Sequence, residues 1–350
     1  MSFVVPANVG YPTDSGLLAR GVVRLVALVG VLHSLGLASR TTMRDRSQSM
    51  RRRAHSIGAW LRRRTEQAKD ETKAITAEMA TIAELSVADA LAVVRNARRA
   101  LRKLGEQASG KAAATVDELE TLIDRMEAII DQTRQRLAGH TPAGATRVVS
   151  LHDPDARPIM KGRLGKPVEF GYLAQVVDNT DGIIVDHSEH VGNPYDGPLL
   201  APAITRFKTL VGRAPKAVTA DRGYGDTTVD ADLEALGVKH VAIIRKGRAS
   251  AARQKIERRA KFRRLIKWRT GCEGRISALK RNYGWNRTLM DGLAGTQTWC
   301  GYGVFAHNSV KISGLLNADP GPPAAANRPS PPPHRPPPRS QPPPRLPLSA

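Results

Sequence analysis

The spacing of apolar residues changes once along the chain, near residue 139. From 16 to 138 apolar residues recur at intervals of three and four, and no proline interrupts the stretch 54–103. Thr115-Val-Asp-Glu118 has the form of a capping box, which predicts the start of a helix. The apolar residues after it lie on one helical face: Val116, Leu119, Ile123, Met126, Ile130 and Leu137. We predict helices paired as a hairpin or short bundle, with this stripe as packed core and not as a cofactor site.

Beyond residue 139 the pattern is typical of short strands. The runs 146–152, 168–177 and 182–189 are β-type, and turn residues such as Asp178-Asn-Thr-Asp-Gly182 lie between them. Their short links predict an antiparallel meander. The segments that follow are predicted as a helix around 198–211, a strand at 216–221, a helix at 228–236 and a strand at 240–244. This order predicts a mixed α/β sheet of the ribonuclease H type, not a doubly wound one.

Four segments follow from these changes. Residues 1–15 are an extended stretch and a turn, residues 16–138 are helical, and residues 139–316 form the α/β part with a basic helix near its end. Residues 317–350 are rich in proline with arginines interleaved, and the last 31 residues hold 14 of the 24 prolines. Such a composition cannot bury a core, so we predict a disordered tail.

The charge is strongly positive and unevenly distributed. The formal net charge is +22, and residues 245–287 contain sixteen Lys or Arg but only two acids, Glu257 and Glu273, so this segment carries +14 of it. Such a surface favours an anionic polymer or an anionic membrane as partner. Aromatic residues make up only 4%, which argues against a single-strand binder that stacks bases on rings.

Neither membrane insertion nor a cysteine-based site is predicted. The apolar run Leu25–Leu32 lies between Arg24 and His33 and is too short to span a bilayer, so we interpret it as a buried core helix. The two cysteines, Cys272 and Cys300, have neither zinc-site nor disulfide spacing. A reducing cytoplasm suits them.

Two acidic residues are candidates for chemistry. Asp221 ends a predicted strand before a glycine turn, where α/β proteins place ligands, although a turn or cap aspartate occurs equally often there. Glu273 lies on a predicted helix with Arg269 and Lys280 on the same face. Together the two acids would supply half of a two-metal site for Mg²⁺ or Mn²⁺. The alternative for Glu273 is a surface residue in local ion pairs.

The motifs then resemble a known family. Arg269-x3-Glu273-x6-Lys280 resembles the Arg-Glu-Lys part of the Y-x2-R-x3-E-x6-K signature of bacterial DDE insertion-sequence transposases, with Ile266 at the tyrosine position. Thr219–Gly225 looks like their second-aspartate motif. Three further stretches match the ISNCY-type group: 166–175, 192–194 and 303–308. The resemblance as a whole covers about residues 4 to 312.

This resemblance implies a ribonuclease H-like fold with Asp221 as the second and Glu273 as the third metal ligand. It implies a Mg²⁺- or Mn²⁺-dependent enzyme that hydrolyses a phosphodiester at element ends and joins the 3′-hydroxyl to target DNA. The expected partner is double-stranded DNA, bound in the cytoplasm at the nucleoid, without a membrane and with a homodimer as the possible assembly. The residues expected to contact phosphates are Arg264, Lys267, Arg269, Arg275 and Lys280.

The first aspartate of the resemblance has no counterpart. The alignment places Met1 at its position, so we expect an N-terminally truncated or misassigned start, with 1–15 as the remnant of the first strand and 16–138 as an insertion. Asp153 or Asp155 is the rival first ligand. With one carboxylate missing, we expect a form that binds DNA but is catalytically inactive or nearly so.

Two other classes of function compete with this expectation. A non-catalytic basic DNA-binding protein would need only the Arg-rich segments 51–64 and 253–269. A membrane-surface protein would use an amphipathic helix with Ile57, Trp60 and Leu61 on its apolar side.

Overall fold

The computed structural model describes residues 1–105, 110–163 and 165–317. It is a mixed α/β structure, as the sequence predicts, with a helical bundle in residues 14–137 and two sheets with flanking helices in the rest of the described chain. The predicted disordered tail, apart from residue 317, lies outside the described residues.

The helical bundle consists of α1 (Asp14–Ser34), α2 (Ser47–Leu61), α3 (Glu66–Leu104) and α4 (Gly110–Leu137). The predicted capping box at Thr115 is wrong, because α4 begins five residues earlier, at Gly110. The Thr115 hydroxyl donates instead to the Lys111 carbonyl oxygen within the helix, at 2.8 Å. This local bond satisfies the side chain without a helix end.

Close packing of α1 against α3 and α4 forms the main core of the bundle. A Cβ atom on Gly21 of α1 would lie 1.9 Å from the Met126 sulfur of α4, so a larger residue there would require the Met126 side chain to move. The apolar run of α1 is buried as predicted, with Leu25 and Leu32 both inaccessible to solvent. By length and composition α1 could cross a membrane, but its apolar face packs within the bundle.

The larger sheet is antiparallel and centred on β3 (Lys166–Asp178). Strand β1 (Ser2–Pro6) pairs along one edge of β3. Strands β2 (Arg157–Arg163) and β4 (Ile184–Val191) follow one another along the other edge. The helix α9 (Gly292–Leu316) and the helix α8 (Ala260–Asn282) cover one face of β1 and β3.

The predicted strand at 146–152 is wrong; this stretch forms no ladder, and the strand lies at 157–163 instead. The reason is a polar side chain of the bundle. Gln132 of α4 donates to the Val148 carbonyl oxygen and accepts from the Val148 amide, at 3.1 and 3.0 Å. Its amide group therefore takes the place of a neighbouring strand.

A second, parallel sheet consists, among the described residues, of β5 (Ala217–Thr219) and β6 (His240–Ala242). The helices α5 (Gly197–Val211) and α6 (Thr227–Ala235) pack on it, and α7 (Ala251–Glu257) leads into α8. The single continuous sheet that the element order predicted is therefore divided in the described residues, because β5 forms no ladder with β1.

Candidate active site and nucleic-acid interface

Asp221 follows β5 and holds the turn after it. Its carboxylate accepts a hydrogen bond from the Arg222 amide at 2.6 Å and so caps a short 3-10 turn. Tyr224 in this turn is fully buried, and its hydroxyl accepts from the Gln175 side chain of β3 at 3.0 Å. A Cβ atom on Gly225 would lie 2.0 Å from the Ile244 carbonyl oxygen, which explains the glycine. Asp221 therefore lies at the end of a strand and also caps a turn, so its position agrees with both interpretations of the sequence.

The amino group of Met1 lies beside this turn. It donates to the Val176 carbonyl oxygen of β3 at 3.0 Å. Burial lowers the pKa of the Met1 amino group, and the nearby charges of Cys272, Asp178, Asp196 and Asp221 oppose this shift. The Met1 amino group is therefore close enough to Asp221 for the two charges to interact.

Asp196 is a carboxylate near the site that the sequence analysis did not select. It accepts a hydrogen bond from the Ser2 hydroxyl at 2.5 Å. One of its oxygens lies 2.8 Å from the point where a Cβ atom on Gly223 would be, so it touches the turn after Asp221. An acid shortly after a strand, in Gly192-Asn-Pro-Tyr-Asp196, was the available signal.

Glu273 lies on α8, and 63% of its side chain is exposed. Its carboxylate is 3.7 Å from the Arg269 guanidinium, which also lies 3.9 Å from the Met1 sulfur. Ala220 and Cys272, the residues before Asp221 and Glu273, line one cavity together with Met1 and Arg269. The two predicted acids therefore belong to segments that border the same cavity, with two cationic groups near them.

The arrangement of these side chains does not fit a divalent metal ion. In the part of the chain that the structure describes, no three His, Cys, Asp or Glu residues are grouped as around a metal. Mg²⁺ and Mn²⁺ need converging oxygen ligands and a local excess of negative charge. Here the Arg269 guanidinium lies 3.7 Å from the Glu273 carboxylate.

The rival first ligands, Asp153 and Asp155, hold the start of α9. The buried Asp153 carboxylate accepts from the Tyr172 hydroxyl and, at 3.2 Å, from the Gly292 amide. Asp155 accepts from the Leu293 amide at 3.1 Å. Tyr172 lies four residues along β3 from Val176, the partner of Met1, which is roughly 13 Å at strand spacing. These contacts give both acids a structural role.

The five cations predicted to contact phosphates lie in three different environments. Arg264 and Lys267 are exposed on α8. Arg275 forms an ion pair with the buried Asp178, and only 22% of its side chain is exposed. Arg269 is 18% exposed, and the Lys280 ammonium lies 5.3 Å from the centre of the Phe3 ring. Of the five, Arg264 and Lys267 are exposed to solvent, whereas the other three are partly buried.

Arg264 and Lys267 belong to a larger group of exposed cations in the segment 258–267. We call it the basic face; its members are Arg258, Arg259, Lys261, Arg263, Arg264 and Lys267. Glu257, the acid nearest to it in sequence, is already bonded to Arg253 at 3.1 Å. Within the described residues no member of the basic face forms an ion pair with an acid. An uncompensated group of cations of this kind fits the phosphates of a nucleic acid.

Comparison with known proteins gives one match. A family model described as a transposase DDE domain matches residues 124–309, which is 186 of the 350 residues. The match begins within α4 and ends within α9. No curated protein matches the chain. No solved structure matches it either.

Proposed function

We propose, from the premise that this chain belongs to the transposase DDE domain family, that it binds double-stranded DNA at the ends of an insertion element. Transposases of this family act on DNA and generally use divalent metal ions. The ISNCY-type subgroup, a ribonuclease H-like organisation of the core, a homodimer on paired ends and association with the nucleoid are part of this proposal.

The observation that supports DNA binding best is the basic face. It presents six exposed Lys and Arg side chains on α8 and the residues before it. Cations that neutralise phosphates release condensed counterions, so affinity falls steeply as salt rises. Because the nearest acid is bonded elsewhere, these cations remain available to a polyanion.

A pair of double variants tests this interface. Arg264→Ser with Lys267→Ser removes two charges from the basic face, whereas Lys69→Ser with Lys73→Ser removes two from α3, where each pairs with an acid. Duplex binding is measured by fluorescence anisotropy over a range of salt concentrations. We expect the first variant to bind more weakly, with a salt slope smaller by about 0.9 for each lost phosphate contact. An equal loss in both variants would show that only the total charge matters.

The reaction proposed for the complete active site is hydrolysis of a phosphodiester at the element end, followed by strand transfer. Asp221 and Glu273 are the residues proposed for it, with Mg²⁺ or Mn²⁺ as cofactor. In the form described here we propose little or no cleavage. The support is the placement of the Arg269 guanidinium beside the Glu273 carboxylate, because a cation already present there repels a metal ion.

Cleavage of a supercoiled plasmid in Mg²⁺ or Mn²⁺ tests this second statement. We expect the purified chain to nick DNA no faster than the variants Asp221→Asn and Glu273→Gln. Metal-dependent nicking by the unaltered chain that Glu273→Gln abolishes would contradict the proposed inactivity, while it would support the family chemistry.

The second candidate function is a DNA-binding protein without catalysis. It is favoured by the described residues, in which no metal-ligand group is assembled. A Mn²⁺ titration followed by electron paramagnetic resonance separates the two candidates. A tight site that is lost in Asp221→Ala supports the transposase active site, whereas the lack of such a site supports the pure binder.

A further inference from the structure

One face of the helix α9 fixes it on the larger sheet. The buried residues of α9 recur every three or four positions: Thr296, Cys300, Gly303 and His307. A Cβ atom on Gly303 would lie 2.5 Å from the Tyr283 carbonyl oxygen, so the helix approaches this backbone closely. The Asn308 side chain donates to the Ile184 carbonyl oxygen of β4 at 2.8 Å and accepts from the Ile184 amide at 2.9 Å. These contacts fix the rotation of α9 about its axis.

The opposite face of α9 carries a row of exposed residues. We call this row the α9 stripe; its members are Tyr302, Phe305, Ser309, Ile312 and Leu316. They follow one another at intervals of three, four, three and four residues, which is the spacing of a coiled-coil seam. The Ser309 hydroxyl donates to the Phe305 carbonyl oxygen at 2.9 Å. The small side chain at the middle of the stripe therefore needs no further acceptor.

The α9 stripe is uncharged in a strongly charged molecule. Lys311 is the single Lys, Arg, Asp or Glu in the sequence 292–316, and it lies off the stripe. Its Cε atom is 3.4 Å from the point where a Cβ atom on Gly182 would be, so it is directed towards the turn between β3 and β4. The formal net charge of +22 makes two copies of the chain repel each other. A second copy therefore meets less repulsion at this uncharged face.

The amount of exposed surface also fits a second copy. Tyr302, Phe305 and Leu316 are 69%, 72% and 80% exposed. With the rest of the stripe they leave on the order of 500 Å² of surface in solvent, since one aromatic side chain alone has about 150–250 Å². Exposed patches of this size mark interaction sites. A stable interface covers about 800 Å² on each partner, so the stripe and the small residues beside it, Ala306 and Ser313, supply most of one.

We infer that the α9 stripe binds the α9 stripe of a second copy, as an antiparallel pair of helices related by a two-fold axis near Ser309. In this arrangement Tyr302 of each copy lies opposite Leu316 of the other, and Phe305 lies opposite Ile312. Each ring then meets an aliphatic side chain, and the small Ser309 at the axis lets the helices approach. Such a contact uses the same patch on both copies and closes at two. The inference gives an interface to the homodimer of the proposed function and to that extent rests on it.

A membrane is the competing occupant of the stripe. A helix that lies in a membrane interface has a broad apolar face and a polar face rich in Lys and Arg. The α9 stripe is narrow, and α9 contains one cation, Lys311. Ala306 and Ser313 lie beside the stripe and allow close helix packing. These features favour a second copy of the chain.

Sedimentation equilibrium of the full chain without DNA tests the inference. The test variant is Phe305→Ser with Ile312→Ser, and the control is Leu85→Ser with Leu210→Ser, which removes two exposed leucines from α3 and α5. We expect the unaltered chain and the control to form a dimer, and the dissociation constant of the test variant to be about tenfold higher or more. Salt should strengthen the dimer, because it screens the repulsion between two cationic copies.

Three results would overturn the inference. The first is a monomer at every concentration, and the second is equal weakening of the dimer in both double variants. The third is binding of the unaltered chain to phosphatidylserine vesicles that the test variant loses, since a membrane would then cover the stripe. DNA is absent from these measurements, so they do not depend on the basic face. A dimer that fails to bind a duplex would contradict the proposed function and leave this interface in place.

Disulfide formation tests the direction of the helix pair. The native Cys272 and Cys300 are buried, so a new exposed cysteine reacts first. Ser309→Cys places a thiol at the axis, Tyr302→Cys places one about two helical turns away from it, and Lys311→Cys places one off the stripe. With a mild oxidant we expect Ser309→Cys to form a covalent dimer about tenfold faster than the other two, because a disulfide needs closely spaced Cα atoms. A faster reaction of Tyr302→Cys would overturn the antiparallel arrangement, and equal rates in all three would overturn the interface.

Discussion

The helical bundle and the basic segment use the same residue type, arginine, for opposite purposes. Residues 66–137, which include α3 and α4, contain 11 Lys or Arg and 13 acids. Residues 245–287 contain sixteen Lys or Arg and two acids. In the bundle Arg98 bonds Glu120, and Arg134 bonds Glu84 at 2.9 Å. The comparison shows that the local balance of charge, and not the number of cations, decides which surface is available to a polyanion.

The two regions also differ in how they are held in place. The bundle has the largest apolar core, which includes Leu119, Ile123 and Met126. The helix α7 buries no residue, and α8 buries only four: Phe262, Cys272, Ile276 and Leu279. The ion pair between Arg275 and Asp178 adds a polar contact that joins α8 to β3. Substitutions should therefore affect the two regions by different mechanisms.

The largest effect is expected for Arg275→Met. It leaves the Asp178 carboxylate, which is only 8% exposed, without its cationic partner. Removal of one partner of a buried ion pair costs about 3–5 kcal/mol. Urea unfolding measures the change in the free energy of unfolding. The double variant Arg275→Met with Asp178→Asn should recover part of the lost stability, because no unpaired carboxylate remains. If the double variant is no more stable than Arg275→Met alone, the ion pair is not the cause of the loss.

Core truncation in the bundle should come next. Leu119→Ala removes a fully buried side chain of α4 and should lower the free energy of unfolding by about 2–5 kcal/mol. The matched control is Leu85→Ala on α3. Because Leu85 is 51% exposed, this substitution should change the free energy of unfolding by no more than about 0.5 kcal/mol. Similar losses in both would mean that the bundle core is not packed as described.

A smaller effect on stability is expected for Glu189→Gln in β4, and this effect should depend on pH. The carboxylate of Glu189 lies 3.1 Å from the His187 ring and raises the pKa of His187. Folding therefore favours the protonated ring. This contribution is fully present below the unfolded pKa of about 6.5 and is lost as pH rises through the raised folded pKa. In Glu189→Gln, NMR titration should show a lower His187 pKa, and stability should fall less over that range.

The smallest effect is expected for Arg98→Met, the same substitution as in Arg275→Met but in the bundle. The Arg98 side chain is 38% exposed, and so are its acidic partners, Asp117 and Glu120, at 63% and 39%. Exposed ion pairs contribute about 0–1 kcal/mol. Urea unfolding measures this too. A loss as large as that of Arg275→Met would remove the distinction between solvated and buried pairs.

Several features were predictable because neighbouring residues determine them. The period of the apolar residues predicted the helices of the bundle, and burial of Leu119 and Met126 agrees with it. The strands β1, β3 and β4 lie close to the predicted runs. The family expected from the Arg-Glu-Lys motif is confirmed by the matching family model. The roles of Asp221 and Glu273 stay predictions.

Other features depend on residues far apart in sequence. The stretch 146–152 has a strand pattern, but the Gln132 side chain takes the place of its ladder. Arg275 belongs to the basic segment by sequence, yet its partner is Asp178, nearly a hundred residues earlier. No local pattern indicated either contact, because side-chain type does not specify a distant partner.

By itself the sequence determined the helices of the bundle, the approximate positions of β1, β3 and β4, where positive charge collects, and to which family the chain belongs. Each of these depends on composition, on short spacing or on a motif. Only the tertiary structure decided that β5 and β6 form a sheet separate from that of β3, that Asp153 and Asp155 hold α9, and that Arg275 pairs with Asp178. The physical reason is that non-local packing selects among the partners that a local pattern leaves open.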